Sequence, residues 1–174
     1  DSVLSYSLNA PVAGLVLNAN GSYSFDAANA AYQDLKLGET LPVVANYTVT
    51  DEHGAVSSVQ TATIQVVGAN DGPTATNVAY NGATENGVSN FTFTGGADVD
   101  HDAVLTYAVV GQPQHGSLSG TAPSLTYTPS ADFFGNDSFT FKVNDGVNDS
   151  LTATVFVRVN PLPTAPTAIV LSTT

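Results

Sequence analysis

Three aspartates at alternate positions mark the segment GADVDHDAVLTY, residues 96–107. Asp98, Asp100 and Asp102 are followed directly by an apolar, β-favouring run. Carboxylates this close repel one another unless a cation lies between them. Ca²⁺ suits such a set, because it takes about six to eight hard oxygen ligands from carboxylates, amides and backbone carbonyls. The spacing therefore predicts a cation site in the turn before a strand.

Basic side chains are too few to neutralise the acids of this chain. The 174 residues include fifteen Asp and Glu but only Lys36, Lys142 and Arg158, which gives a net charge of -12. Such a chain repels nucleic acid and anionic membranes. No apolar run reaches the roughly 18 residues needed to span a bilayer. We therefore expect neither nucleic-acid binding nor membrane insertion.

The side chains also restrict which metal and which chemistry are expected. Cysteine is absent and the three histidines lie in separate turns, which disfavours zinc and copper. Mg²⁺ stays possible, although it prefers fewer protein ligands. An EF-hand does not fit, since Ala103 and Val109 replace the loop's Gly and Glu. No Ser, His and Asp form a recognisable catalytic motif, so we expect no enzyme.

Further polar residues fall where predicted strands end. We expect them to meet the three aspartates at one junction and to bind Ca²⁺ together. The alternative is that each acid occupies an ordinary solvated turn. The additional candidate ligands are Asp51, Glu52, Asn70, Asp71 and Glu85. The later linker NPLPTAP carries no carboxylate, so fewer ions, or none, are expected there.

The elements that must position these side chains are short strands. Runs rich in Val, Thr, Tyr and Phe alternate with Gly, Asn, Asp and Pro turns, which is typical of an all-β sandwich. Asn20 and Gly21 predict a tight hairpin turn. One short helix is predicted near residues 28–37, with Gly38 as its stop.

Internal repetition predicts two modules in series. DSVLSYSL matches DAVLTYAV, and TATIQVVG matches TATVFVRV. We assign residues 1–69 to a β-sandwich lacking its first strand, 70–73 to a linker and 74–160 to a second sandwich. Residues 161–174 read as a linker and the first strand of a following repeat. That strand could pair with the open edge of the first module in a neighbouring chain, as a donated strand does.

Longer motifs resemble known bacterial repeats. Residues 14–73, with GLVLNANGSYSFD and NYTVTDEHG, resemble the VCBS-type repeat of large bacterial surface proteins. Residues 73–160, with HGSLSG, LTYTP and DSFTFKVNDG, resemble the bacterial cadherin-like or Ig-like tandem repeat. The resemblance implies two tandem Ig-like or cadherin-like sandwiches from an RTX-type adhesin of a Gram-negative bacterium.

The function implied by this resemblance is that of a calcium-rigidified spacer. Such a segment projects adhesive domains from the cell surface, in cell adhesion and biofilm formation, and its partners are neighbouring repeats of the same chain. The alternative is a carbohydrate-binding or protein-binding sandwich module of a secreted or surface protein. Phe133 and Phe134 offer one aromatic pair for that role, although packing at a sandwich corner explains them equally.

Overall fold

The computed structural model describes residues 3–163, and these residues form an all-β protein. The chain divides into two compact units. The first contains Asp1–Asp71 and Val99–Ala103, and the second contains Gly72–Asp98 and Val104–Thr174. The acidic loop Val99–Ala103, with Asp100 and Asp102, thus belongs to the first unit, and Asp98 belongs to the second. The sequence assigned all three aspartates to the second module. The strand predicted in the C-terminal segment lies outside the described residues.

The first unit is built from a three-stranded antiparallel sheet and a hairpin. The sheet has the order β1-β4-β5, and β2 pairs with β3. Its strands are β1 (Ser5–Leu8), β2 (Leu15–Leu17), β3 (Tyr23–Phe25), β4 (Thr40–Thr50) and β5 (Gln60–Val67). A small core of Tyr32, Leu35, Val43 and Val66 holds them together.

The predicted helix is reduced to a single 3-10 turn, Ala30–Tyr32. Asn29 caps it, because its side-chain oxygen accepts a hydrogen bond from the backbone N–H of Ala31. Tyr32 and Leu35, three positions apart, both turn into the core. Leu35 reaches the core from beyond the turn, and 3-10 helices stay short. The element therefore ends well before residue 37.

The hairpin of β2 and β3 is also wider than predicted. Its loop closes through a 2.8 Å hydrogen bond from the N–H of Asn18 to the carbonyl of Ser22. Of the two predicted turn residues, only Gly21 has a positive φ, 83°. Asn20 instead accepts a hydrogen bond from the N–H of Ser22 through its side chain. The Asn side chain stabilises the loop without adopting the left-handed conformation.

The second unit is a fuller sandwich. One sheet has the order β10-β13-β14-β7, a second has β11-β12-β8, and β6 pairs with β9. All pairs are antiparallel except β7 with β14. The strands are β6 (Thr74–Ala75), β7 (Val78–Thr84), β8 (Ser89–Thr92), β9 (Gly96–Ala97), β10 (Thr106–Gly111), β11 (Gly116–Thr121), β12 (Ser124–Pro129), β13 (Gly135–Asn144) and β14 (Ala153–Asn160).

Alternation along two strands creates the core of this unit. Every second residue from Phe139 to Val143 in β13 and from Ala153 to Val159 in β14 is apolar and buried, as the period of two in a strand requires. Leu125 and Tyr127 of β12 join the same core from the other sheet. Phe93 packs at its centre, with its ring centroid 4.7 Å from that of Phe141. The two larger sheets therefore face each other across one aromatic-rich layer.

Candidate functional site

Two of the predicted ligands meet within the first unit. The backbone N–H of Asp71 donates a 3.2 Å hydrogen bond to Oδ2 of Asp100, although 29 positions separate the two residues. Asp100 is buried, with 7% of its surface exposed. A turn between Asp100 and Ala103 presents this carboxylate, since the N–H of Ala103 donates to the Asp100 carbonyl. The loop Val99–Ala103 is thus hydrogen-bonded to Asp71, which the chain reaches shortly after β5 ends.

His101 ties the same loop to the segment before β4. Its backbone N–H donates to the carbonyl of Asp34 at 3.0 Å. Its ring Nδ1 lies 2.5 Å from that carbonyl, which can only accept, so Nδ1 carries a proton. Its Nε2 lies 3.2 Å from Oε2 of Glu39. The two side chains form an ion pair when the imidazole carries its second proton.

Glu39 is positioned by the pairing of β4 with β5. Thr40 is opposite Val67, and the carbonyl of Glu39 accepts a 2.8 Å hydrogen bond from the N–H of Gly68. The start of β4 therefore lies beside the end of β5, from which the chain continues to Asp71. The Glu39 Oε2 atom is buried and, apart from its contact with His101 Nε2, meets no hydrogen-bond donor within residues 3–163. Glu39 is accordingly an additional candidate ligand at this end of the unit.

The other nearby predicted ligands have distinct environments. The Asn70 side-chain amide donates a 2.8 Å hydrogen bond to the carbonyl of Asp71. Asp102 is exposed and has a positive φ of 58°, which aspartate tolerates better than most residues. Asp98 is half-buried and belongs to the second unit.

Asp51 and Glu52 lie at the opposite end of the first unit, contrary to the expectation of one junction. They follow Thr50, ten positions along β4 from the Thr40–Val67 pair, a separation of about 33 Å in an extended strand. Asp51 stabilises its own hairpin by accepting hydrogen bonds from the N–H groups of His53 and Ala55. Because β4 is this long, its two ends cannot share a site.

Within the second unit, Glu85 lies far from Asp98 because of strand register. It follows β7, whose last residue, Thr84, is opposite Asn160 at the end of β14. Its carboxylate accepts a 2.9 Å hydrogen bond from the N–H of Leu162. Asp98 instead follows β9, which pairs with β6 at the other end of the second unit. Glu85 therefore lies beside the later linker, where the sequence predicted few ligands.

The donors near Asp100 suit calcium chemically, because they are hard oxygen atoms without thiolates. Within residues 3–163, no three Asp, Glu or His side chains are grouped so that they could hold a metal ion. The arrangement thus provides the ligand types but not a complete coordination shell.

Sequence reasoning missed two functional or structural acids. The sequence carried a signal for Glu39. A strand begins directly after this residue and pairs with the strand that leads to Asp71, which brings Glu39 to the same end of the sheet as Asp71. Asp137 had none, because it lies in a strand of alternating core residues. Its buried carboxylate accepts hydrogen bonds from Tyr127 and from the backbone of Gln114 and His115. Burial, the hydrogen bond to Asp137 and its negative charge raise the pKa of Tyr127 far above its usual range.

Residues 70–158 match the family model of the bacterial Ig domain. The chain belongs to the bacterial Ig domain family. No curated protein matches it. Among the helices of residues 3–163, none has the length and hydropathy to span a membrane.

Solved structures similar to this bacterial Ig chain support the fold. EC1-2 of human mucin-like protocadherin has a TM-score of 0.52 at 18% identity, over 92% of this chain and 85% of that one. EC1-2 of human protocadherin-24 has a TM-score of 0.50 at 14% identity, over 92% and 83%. A family 107 endo-fucoidan hydrolase has a TM-score of 0.44 at 18% identity, over 92% of this chain. This chain spans only 24% of that hydrolase's length. The two protocadherin similarities show an Ig-like and cadherin-like fold.

Proposed function

We propose that this chain is a spacer segment of a large bacterial surface adhesin and that calcium stiffens it. The observation that carries the proposal is the contact between Asp71 and Asp100, which brings the linker of residues 70–73 to the acidic loop. The chain has too few basic residues to neutralise its acids. A divalent cation would offset the repulsion and would favour the conformation in which these oxygens converge.

Asp71 and Asp100 would hold the ion first, and the Glu39 carboxylate and the side-chain oxygen of Asn70 would have to move towards it to complete the coordination shell. When bound, Ca²⁺ supplies two positive charges and a preference for several oxygen ligands. The chain's own contribution is to bury Asp100, to hold Glu39 beside the end of β5 and to place Asp71 at the linker. An ion bound to both Asp71 and Asp100 would fix the linker to the acidic loop and would restrict the linker's motion.

The family and the repeats support an extracellular setting. Bacterial Ig domains in tandem suit a protein outside the cell, and the VCBS-like and cadherin-like motifs support an RTX-type adhesin on a Gram-negative surface. In this role the segment extends and orients adhesive domains, and it needs no catalytic residues. Neighbouring repeats of the same protein would be its immediate partners.

Small-angle X-ray scattering of the chain, with saturating Ca²⁺ and with chelator, tests the proposal. We expect calcium to narrow the distribution of intramolecular distances. Calorimetric titration with Ca²⁺ should show binding in parallel. Superimposable scattering profiles, together with no binding heat, would refute calcium stiffening.

A further inference from the structure

The second unit carries an open groove of about 530 Å³ on the outer face of its β10-β13-β14-β7 sheet, beside the loop that precedes β11. Its volume lies within the range of about 300–1,000 Å³ that is typical of small-molecule sites. Besides His115, the solvent-accessible side chains of its lining are amides, hydroxyls and one phenyl ring. They belong to Gln112, Gln114, Asn136, Ser138, Thr140 and Phe156.

Phe156 presents the phenyl ring of this groove. It is 52% exposed, whereas its neighbours in β14, Val155 and Val157, are 0% and 1% exposed. Strand register places Ser138 beside it on β13 and Ala79 beside it on β7. Both of these neighbours have small side chains, so the ring stays accessible. An exposed ring among polar groups offers an apolar surface to a ligand that is otherwise rich in hydroxyl groups.

A buried carboxylate holds the loop that carries Gln112 and Gln114. Asp137 accepts 3.0 Å hydrogen bonds from the backbone N–H groups of Gln114 and His115. The His115 ring stacks on that of Phe133, with 4.4 Å between the ring centroids. The side-chain amides of Gln112 and Gln114 make no hydrogen bond within the part of the chain that the structure describes. The loop backbone is thus preorganised and both amides are available to a ligand, which lowers the entropic cost of binding.

The chemistry of the lining favours an uncharged sugar over other ligands. Amides and hydroxyls both donate and accept hydrogen bonds, as the hydroxyl groups of a sugar do. An anionic polysaccharide is disfavoured because the chain has a net charge of -12. A peptide strand is disfavoured because β13 and β14 are each paired on both sides, which leaves no backbone edge for it under the groove.

The groove lacks the acids needed to hydrolyse a sugar. Within residues 3–163, Asp137 is the one acidic side chain of its lining. Both oxygens of this carboxylate already accept hydrogen bonds, Oδ1 from the backbone of Gln114 and Oδ2 from the hydroxyl of Tyr127. Most glycoside hydrolases use two carboxyl groups that flank the scissile bond. This arrangement therefore suits binding without cleavage.

We propose that this groove, between residues 112–115 and Phe156, binds a neutral oligosaccharide or a segment of a neutral polysaccharide. The ring of Phe156 would pack against one face of a sugar unit, and the amides of Gln112 and Gln114 would contact its hydroxyl groups. The inference goes beyond the spacer role. It is independent of the calcium proposal, because none of the predicted calcium ligands, all within residues 3–163, lines the groove.

NMR titration of the isotope-labelled full chain with neutral oligosaccharides tests the site. The probes are oligosaccharides of glucose, mannose, galactose, xylose and N-acetylglucosamine. We expect at least one probe to shift the backbone amide signals of residues 111–115 and 136–140 more than those of the first unit. The shifts should be the same with Ca²⁺ and with chelator, which separates this site from the calcium proposal.

Two variants remove the proposed contacts. Phe156→Ala should weaken binding of the active probe by about tenfold and Gln114→Ala by about three- to tenfold. Gln114→Ala keeps the backbone N–H that donates to Asp137, so its melting temperature should stay close to that of the unaltered chain. Phe134→Ala and Gln65→Ala are the matched controls, because both residues are exposed and lie outside the groove. They should bind like the unaltered chain.

Three results would overturn the proposal. The first is that no neutral probe binds. The second is an equal loss of affinity in Phe134→Ala and Phe156→Ala, which would move the site to the exposed ring that the sequence singled out. The third is tighter binding of an alginate oligosaccharide or of an unstructured acidic peptide at the same amide signals, which would refute the neutral sugar as the ligand class.

Discussion

The hydroxyl of Tyr127 donates a 2.8 Å hydrogen bond to Oδ2 of Asp137, and both residues are buried, with 0% and 7% of their surface exposed. The same carboxylate accepts hydrogen bonds at 3.0 Å from the backbone N–H groups of Gln114 and His115. Tyr127 belongs to one sheet of the second unit and Asp137 to the other. One buried carboxylate therefore links both sheets to the loop before β11.

Replacing Asp137 by Asn should destabilise the second unit by about 1–3 kcal/mol, because an amide nitrogen would face donors that now meet an acceptor. Chemical unfolding measures the change. Asp149→Asn is the matched control, because Asp149 is exposed and its ion pair with Lys142 has an N–O distance of 3.6 Å. That variant should stay within about 0.5 kcal/mol of the unaltered chain. Equal losses in both variants would contradict a structural role for Asp137.

Stability should decline at alkaline pH through Tyr127. The folded protein raises the pKa of this hydroxyl above its ordinary value of 10.0, chiefly through burial. The unfolded chain then releases this proton at a lower pH than the folded protein does. The contribution of Tyr127 to the free energy of unfolding is therefore complete below pH 10.0 and is lost as the pH rises towards the folded pKa. The slope for one proton is about 1.4 kcal/mol per pH unit. Melting temperatures from neutral to alkaline pH should therefore fall more steeply for the unaltered chain than for Tyr127→Phe. Parallel curves would argue against this assignment.

Calcium should stabilise the first unit through Asp71 and Asp100. At free Ca²⁺ about a hundredfold above Kd, the expected gain is about 2.7 kcal/mol. If Asp100→Asn or Asp71→Asn weakens binding tenfold, the gain at the same concentration falls to about 1.4 kcal/mol. Calorimetric titration and melting with calcium or chelator give both quantities. Asp51→Asn is the control from the far end of β4 and should leave the calcium response unchanged.

Glu39 should matter for calcium although the sequence did not single it out. Glu39→Gln removes one negative charge beside the end of β5 and should reduce calcium affinity. Glu52→Gln makes the same change at the other end of the sheet and should not. Titration calorimetry of the two variants compares them directly. A larger loss of calcium affinity in Glu52→Gln than in Glu39→Gln would contradict a site at the Glu39 end of the sheet.

Much of the fold was predictable because strand formation depends on local alternation. The segments LSYSL, LTYAVV, SLTYTP and DSFTFKVND each contain a strand at or near the predicted position. The predicted helix is wrong because Tyr32 reaches the core from a 3-10 turn and Leu35 from the segment after it. Composition does not distinguish this arrangement from a longer helix.

The candidate site was less predictable because it depends on which strand ends are neighbours. Asp71 and Asp100 were expected together and are in contact. The predicted positions of Asp51 and Glu85 were wrong, because the pattern of acids does not encode the length and direction of β4 and β7. Register is set by long-range pairing and hairpin geometry, so a single sequence leaves it open.

The parallel pairing of β7 with β14 has a mechanical consequence. The beginning of β7 and the end of β14 lie at opposite ends of the second unit, and five residue pairs connect the two strands. A pulling force applied to these ends loads the ladder in shear, so its hydrogen bonds share the tension and must rupture together. Forced unfolding is governed by the unfolding rate. The second unit should therefore resist tension along its chain better than a sheet whose hydrogen bonds rupture one at a time.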